Sequence, residues 1–332
     1  MLPNLSCHRH ALQIRVFCRI RPNPRSAVHC LPDGTSIKLA GADGKDHMFT
    51  FDRVFGPEAG QPTVFAEVSD LVQSALDGFK VCLFSYGQTG AGKTHTMQGS
   101  RSFESQGIIP RAIAKILQAV SKLREQAWEY RLEASFVEVY NETLRDLLAE
   151  AGPGRREAGK ITEPNAIQHQ PGGGHTLVLG AARVGIESEG DAEGVVRRAA
   201  SARAVEATAM NAVSSRSHSV FMLYITGRHE VTGTLLQGSL NLVDLAGSER
   251  LARSQAEGQR AKEACNINKS LSSLGDVFQA LAAKAPHVPY RNSKLTHLLQ
   301  PCLGGSGGCA AWLGGKRGAD LLPRGALLTC CR

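Results

Sequence analysis

The 332-residue sequence is poor in aromatic residues, which make up 5% of the chain, and it contains no apolar run of the ~18 residues that a membrane span needs. Few aromatics argue against the base-stacking surfaces of single-strand binders, so neither nucleic acid nor a membrane is a predicted partner. The N-terminus lacks the apolar core of a secretory signal, which makes the cytosol the default compartment. The nine cysteines show no metal-ligand spacing and are predicted to be free thiols.

Composition and charge are those of a globular protein with an acidic partner. The chain is 42% apolar and 20% charged, has no internal repeat, and carries a net charge of +8. Between residues 250 and 300, eight Lys or Arg stand against three acidic residues, which predicts a basic face. A solvated helix surface is the alternative interpretation of such a run.

The most informative motif is the G-x-x-x-x-G-K-T pattern at residues 87–94, which follows the apolar run 81–84. Glycines in such a loop leave backbone N–H groups free to surround phosphates, Lys93 can reach the outer phosphates, and the Thr94 hydroxyl can bind Mg²⁺. The pattern therefore predicts a nucleoside triphosphate site. Its phosphate-binding residues are Gly87, Gln88, Thr89, Gly90, Ala91, Gly92, Lys93 and Thr94.

Two later segments carry matching chemistry. Residues 211–218 are a compact run of hydroxyl and basic groups, and residues 244–249 begin with Asp244 at the end of an apolar run. An Asp at the end of a buried strand beside a phosphate loop usually holds the Mg²⁺ shell, and the N–H of Gly247 can reach a γ-phosphate. Taken alone, segment 211–218 would more often be a solvated loop, and segment 244–249 would more often be a turn that closes a strand. Together they predict two segments that flank one site.

With these three motifs, the sequence resembles the motor domain of kinesins over about residues 12–307. The phosphate loop matches over residues 86–97, and further matching segments are 14–22, 51–55, 137–142 and 290–296. Residues 14–19 and 71–78 are most similar to the C-terminal-motor, minus-end-directed kinesins of the kinesin-14 subfamily.

The resemblance implies an α/β fold of the P-loop NTPase class, with a central, mostly parallel mixed sheet and helices on both faces. It implies a microtubule-stimulated ATPase that uses ATP and Mg²⁺ and couples hydrolysis to movement or force along cytoplasmic microtubules, including those of the spindle. The phosphate loop by itself is also compatible with GTP. The guanine-reading Asn-Lys-x-Asp pattern is absent, however, because the one Asn-Lys pair, Asn268 and Lys269, is followed by Ser270 and a leucine.

The resemblance also assigns roles to residues. Thr94 and Ser215 contact Mg²⁺, Asp244 anchors its water shell, and an Arg216–Glu249 salt bridge closes the site around the attacking water. The implied catalytic residues are Lys93, Ser215, Arg216, Gly247 and Glu249. Further nucleotide-binding residues are Arg19, Arg21, Pro22, His95, Asn211 and Ser214. The implied microtubule contacts are Lys262, Lys269, Arg291, Lys294 and His297.

The two ends depart from the family pattern. After residue 305 the expected long strand and final helix give way to a Gly-rich stretch, so both are expected to be missing, with residues 309–313 as a poor substitute strand. The expected organisation is a short segment 1–11, a motor domain 12–307 and a tail 308–332 without regular structure. Dimerisation is expected only through a stalk that this chain lacks. The alternative function is a truncated, non-motile microtubule- or nucleotide-binding module without turnover.

Overall fold

The computed structural model describes residues 15–23, 26–41, 44–100, 102–149, 159–163, 165–209, 215–249, 259–304, 309–310 and 327–331. The helices are α1 (Gln61–Leu76), α2 (Lys93–Met97), α3 (Ile108–Arg124), α4 (Glu189–Ala209), α5 (Gln259–Ala282) and α6 (Lys294–Gly304). The strands are β1 (Val16–Ile20), β2 (Val28–Cys30), β3 (Ser36–Ala40), β4 (Asp46–Thr50), β5 (Arg53–Phe55), β6 (Lys80–Tyr86), β7 (Trp128–Tyr140), β8 (Thr143–Asp146), β9 (Lys160–Ile161), β10 (Ile167–His169), β11 (Thr176–Val178), β12 (Val184–Gly185), β13 (His218–His229), β14 (Leu235–Asp244), β15 (Cys309–Ala310) and β16 (Leu327–Cys331).

A large mixed sheet organises the molecule. Its main path runs β5-β1-β16-β6-β14-β13-β7-β8-β9. The strands from β5 to β14 pair in parallel, whereas those from β14 to β9 pair antiparallel. The prediction of a mixed sheet is confirmed, but "mostly parallel" is wrong, because β7–β8 and β13–β14 are antiparallel hairpins and β13 also pairs antiparallel with β7.

Helices cover both faces of this sheet, as predicted. On one face, the apolar residues of α3 recur at helical spacing, so that Ala112, Ile113 and Ile116 are all buried against the core that contains α1. On the other face, Phe278 of α5 packs edge-to-face on Phe84 of β6, with ring centroids 6.2 Å apart. Each face therefore has its own hydrophobic core.

The tail contributes a strand, which corrects the sequence-based expectation. β16 lies between β1 and β6 and pairs in parallel with both, for example Thr329 with Cys18 and with Tyr86. Of the predicted substitute segment, Cys309 and Ala310 pair with β6. The backbone groups of β1 and β6 need partners there, and the apolar run at the end of the chain supplies them. The expectations of a missing last strand and of an unstructured tail are therefore wrong for residues 327–331; among the described residues no helix follows α6.

The sheet also sets the position of the functional residues. β6 and β14 are parallel neighbours in a register that places Asp244 opposite Ser85. Their carboxyl ends therefore meet at one edge, and the segments that follow them, residues 87–92 and 245–249, lie side by side. None of the described helices is long and apolar enough to span a membrane.

Candidate functional site

The loop between β6 and α2 has the conformation that its glycines permit. Gly87, Gly90 and Gly92 have φ angles of 146°, 78° and 100°, which side-chain-bearing residues rarely adopt. Lys93 follows at the first turn of α2 and is 8% exposed. Its ammonium donates hydrogen bonds to the carbonyl oxygens of Gly87 at 2.8 Å and Gln88 at 3.0 Å. The loop thus folds around its own lysine and keeps that charge at the site.

Asp244 lies beside the loop as predicted. Its Oδ2 atom accepts a hydrogen bond from the Thr94 hydroxyl at 2.6 Å, and its Oδ1 atom accepts one from the Ser85 hydroxyl at 3.1 Å. The carboxylate is 5% exposed, and the Arg203 guanidinium of α4 lies 3.8 Å from Oδ2. A hydroxyl and a carboxylate oxygen in contact form a donor set that suits Mg²⁺.

The two segments predicted to flank the site contact each other and the loop. The Gly247 N–H donates to the Ser215 carbonyl oxygen at 2.8 Å, and the Ser248 N–H donates to the Gly87 carbonyl oxygen at 3.1 Å. A Cβ at Gly247 would lie 2.5 Å from the Thr89 hydroxyl and from the Glu249 carboxylate. A side chain at position 247 would therefore displace the Glu249 carboxylate or the Thr89 hydroxyl.

Glu249 reaches across the site to the phosphate loop. Its Oε2 atom accepts a hydrogen bond from the Thr89 N–H at 2.8 Å, and its Oε1 atom accepts one from the Thr89 hydroxyl. Burial alone would raise the pKa of Glu249, but the Thr89 hydrogen bonds and the Lys93 charge outweigh it and lower the pKa. The carboxylate is therefore ionised at neutral pH. Its predicted salt bridge with Arg216 stays a prediction.

A cavity of about 740 Å³ extends from the loop toward the end of β1. The predicted residues that line it are Arg19, Arg21, Pro22, Thr89, Gly90, Ala91, Gly92, Lys93, Thr94, His95, Ser215 and Asp244. Arg21 donates a hydrogen bond to the Gly90 carbonyl oxygen, which ties the end of β1 to the loop. Burial, then the charges of Arg19 and Arg21, lowers the pKa of His95, so its imidazole presents a neutral ring. The cavity has room for a base, a sugar and phosphates.

Gln61 is a residue of this cavity that sequence reasoning missed. It is 4% exposed, and its Oε1 atom accepts a hydrogen bond from Arg19 at 2.8 Å. Its Nε2 atom donates to the His95 carbonyl oxygen at 2.6 Å. The Gln-Pro pair signals a helix start, but nothing in the sequence indicates that this glutamine connects β1 to α2.

Arg203 was also missed as part of the site, and His218 was predicted only as the last residue of the 211–218 segment, without a role of its own. The His218 Nδ1 atom lies 3.0 Å from the Ala246 N–H, and its Nε2 atom lies 2.7 Å from the Ser270 hydroxyl of α5. Arg203 lies between Asp244 and Glu138, whose Oε1 atom is 3.6 Å from its guanidinium. Both contacts depend on the pairing of distant segments, for which single residues in a sequence give no signal.

The predicted microtubule contacts fall on neighbouring elements. Lys269 lies exposed on α5, Arg291 lies exposed in the turn before α6, and Lys294 and His297 are half-buried on α6. The His297 ring packs edge-to-face on His169 of β10, with centroids 5.1 Å apart. The Lys262 side chain, and residues 211 and 214, lie outside the part of the molecule that the structure describes.

Comparisons with known proteins agree with this geometry. The family model of the kinesin motor domain matches residues 30–310. The chain is 50% identical over 305 residues to the kinesin-like protein KIN-14M of Arabidopsis thaliana, with 88% of this chain and 41% of that protein covered. It is 48% identical over 314 residues to the kinesin-like protein klpA of Emericella nidulans, with 88% of this chain and 39% of klpA covered. The chain thus spans about two fifths of the length of these relatives.

Solved structures show the same architecture. The motor domain of the kinesin-like protein Kar3 of Saccharomyces cerevisiae is similar with a TM-score of 0.76 and 39% identity, over 90% of this chain and 91% of that one. The Kar3-like motor domain of Ashbya gossypii is similar with a TM-score of 0.72 and 37% identity, over 89% of this chain and 90% of that one. At this identity and coverage, the two solved motor domains share the fold of this chain.

Proposed function

Because the chain belongs to the kinesin motor domain family and groups with its kinesin-14 members, we propose that it is a microtubule-stimulated ATPase. It couples ATP hydrolysis to movement or force along microtubules of the cytoskeleton, including the spindle. The observation that carries the proposal is the single cluster formed by the phosphate loop, Asp244 and Glu249 at the carboxyl ends of β6 and β14.

The chemistry proposed for this cluster is phosphoryl transfer to water, in which positioning and charge stabilisation matter most. Lys93 and the loop amides bind the β- and γ-phosphates. The oxygens of Thr94, Ser215 and Asp244 fit a Mg²⁺ ion, since Thr94 and Asp244 already lie in hydrogen-bond contact. The ion, when bound, neutralises part of the phosphate charge.

Gly247 and Glu249 act at the γ-phosphate end. Gly247 already uses its N–H on Ser215, so exchange of that hydrogen bond for one to a γ-phosphate would link the two flanking segments to the nucleotide state. Glu249, held ionised on Thr89, is placed to orient a water molecule, and pairing with Arg216 would close the site around it. Asn211 and Ser214 complete the proposed nucleotide contacts.

The base lies in the proposed complex between the Arg19 to Pro22 segment and His95. A neutral imidazole offers a flat surface for stacking, and Arg21 fixes the adjoining loop at Gly90. The sequence does not contain the guanine-reading Asn-Lys-x-Asp pattern, and ATP is therefore the proposed nucleotide.

The proposed partner is the acidic surface of the microtubule. Lys262, Lys269, Arg291, Lys294 and His297 come from α5, α6 and the turn between them, and α5 and α6 pack against each other. Such a basic face favours an acidic surface through charge complementarity. The alternative, a binding module without turnover, loses its main support because β16 occupies the sheet position that the tail was expected to leave open.

ATP turnover with and without polymerised microtubules tests the proposal. We expect stimulated turnover in the unaltered chain and a loss of at least about 100-fold in Glu249→Ala, because the ionised carboxylate at the reacting end is removed. Glu230→Ala, at an exposed position of the β13–β14 turn, is the matched control and keeps full activity. Stimulated turnover that survives in Glu249→Ala would contradict the assignment.

A further inference from the structure

We propose that His218 is the positioning residue that joins the γ-phosphate end of the site to helix α5, through hydrogen bonds to Ala246 and Ser270 on opposite sides of one buried imidazole. The inference rests on the proposed function and assigns a specific atom path to the coupling between nucleotide and microtubule. The sequence predicted no role for His218 beyond its place in the segment 211–218.

The position of His218 brings three elements together. His218 is the first residue of β13 and is 2% exposed. It lies three residues after Ser215, whose carbonyl oxygen accepts a hydrogen bond from the Gly247 N–H. The next residue, Ser219, pairs with Asp244 across the β13–β14 ladder. The imidazole therefore lies next to the segments that carry Ser215, Asp244 and Gly247, the residues proposed to contact Mg²⁺ and the γ-phosphate.

The two hydrogen bonds fix the protonation state of the ring. The Ala246 N–H can only donate, so Nδ1, 3.0 Å away, must accept and carry a lone pair. Nε2 then carries the proton and donates to the Ser270 hydroxyl at 2.7 Å. Burial, and next the charge of Lys93, lowers the pKa of His218 to about 3, so that the ring stays neutral.

Movement of Ala246 on the Nδ1 side of the ring is therefore expected to reach Ser270 of α5 on the Nε2 side. Ala246 precedes Gly247 directly, so a shift of Gly247 toward or away from a γ-phosphate displaces the donor of Nδ1. Ser270 is also 2% exposed, and no solvent is available to replace either bond. If the ring follows Ala246, either α5 moves with it or the hydrogen bond between Nε2 and the Ser270 hydroxyl is lost, and the first outcome retains both bonds.

A histidine buried only for packing would behave differently from a coupling residue. Removal of a packing contact lowers thermal stability and leaves the ratio of microtubule-stimulated to basal turnover unchanged. Removal of a coupling contact changes that ratio. Ser270 allows the distinction, because Ser270→Ala removes the acceptor of Nε2–H and leaves the phosphate-binding residues in place.

The experiment compares the unaltered chain with Ser270→Ala and with Ser273→Ala, which removes a buried hydroxyl one turn further along α5. We expect Ser270→Ala to keep basal turnover within about twofold and to lose about tenfold of the microtubule stimulation, a coupling of ordinary size. Ser273→Ala keeps the stimulation. Equal stimulation in Ser270→Ala and the unaltered chain overturns the inference.

A double-mutant cycle with His218→Asn adds a second readout. The shorter Asn side chain can still accept from Ala246 but does not reach Ser270, so the two variants interrupt the same path. We expect the double variant to lose no more stimulation than Ser270→Ala alone; losses that multiply overturn the inference. Absence of turnover and of nucleotide binding in the unaltered, folded chain would instead overturn the proposed function itself.

A measurement without turnover separates the two claims further. Hydrogen exchange of the α5 amides is compared with ADP and with a non-hydrolysable ATP analogue, both bound to the same protein. The difference between the two nucleotides is expected in the unaltered chain and in Ser273→Ala, and it is expected to vanish in Ser270→Ala. A difference that persists in Ser270→Ala overturns the inference even where nucleotide binding is intact.

Discussion

The ammonium of Lys93 is nearly buried and is held by two carbonyl oxygens of its own loop, 2.8 Å and 3.0 Å away. Carbonyl oxygens carry only partial charge, so the buried cation keeps much of its attraction for a phosphate. We therefore expect this single side chain to supply much of the affinity of the loop for phosphate.

Lys93→Ala should therefore weaken nucleotide binding. Loss of a charge-assisted contact of about 1.5–3 kcal/mol corresponds to an increase in the Kd for a fluorescent ATP analogue of about 10- to 150-fold. Lys122→Ala, at an exposed position on α3, controls for the loss of a positive charge and should bind as the unaltered chain does. An unchanged Kd in Lys93→Ala would show that the phosphates lie elsewhere.

His218 also makes the stability of the domain depend on pH. Burial lowers its pKa from 6.5 to about 3, so the unfolded chain binds the proton more readily than the folded one in that interval. Its contribution to stability is complete above pH 6.5 and is lost as the pH falls from 6.5 toward 3, by about 1.4 kcal/mol per pH unit.

Urea unfolding at about pH 7, 6 and 5 measures this slope. His218→Asn should flatten the decline below pH 6.5 by about 1.4 kcal/mol per unit. His287→Gln, at an exposed position, controls for the loss of a histidine. The same decline in His218→Asn and in the unaltered chain would mean that the imidazole titrates freely in the folded state.

At the scale of elements, α1 and β14 approach each other closely enough to require a glycine. A Cβ at Gly238 of β14 would lie 1.8 Å from the carbonyl oxygen of Ala75 near the end of α1. The obstructing atom belongs to the backbone, so local side-chain movement cannot relieve the clash. This close approach packs α1 against the strand that carries Asp244.

Gly238→Ala should lower the free energy of unfolding by about 1–3 kcal/mol, because one of the two elements must shift. Gly185→Ala in β12 is the matched control, since a Cβ there would meet nothing within 4 Å. Chemical denaturation measures both. Equal unfolding midpoints for the two variants would refute the close approach of α1 and β14.

The elements show what a sequence can and cannot predict. The loop at Gly87 to Thr94 and the Asp244 segment were predictable because each is a local pattern with its own chemistry. The contacts described above for Gln61, Arg203 and His218 were not, because they join residues that are 28 to 65 positions apart. Helix spacing predicted the buried face of α3, whereas strand partners depend on the whole sheet.

At the scale of the whole molecule, the sheet is continuous because the end of the chain completes it. β16 lies between β1, which leads to Arg21 and Pro22, and β6, which leads into the phosphate loop. The base end and the phosphate end of the site are therefore connected through a strand that the sequence comparison with the family pattern gave no reason to expect.

Thr329→Pro tests that closure. Thr329 pairs with both Cys18 and Tyr86, and proline removes its N–H from the ladder. We expect a loss of about 3 kcal/mol or more in the free energy of unfolding and weaker ATP binding. Thr329→Val keeps a β-branched residue and should match the unaltered chain. Identical denaturation of the two variants would place the tail outside the sheet.

In the proposed function, the nucleotide bound at the site sets the affinity of the basic face for microtubules. Cosedimentation with microtubules in the presence of ADP and of a non-hydrolysable ATP analogue tests this coupling. Binding should be at least about tenfold tighter with the analogue, through the path from Gly247 to α5. The same microtubule affinity with both nucleotides would contradict it.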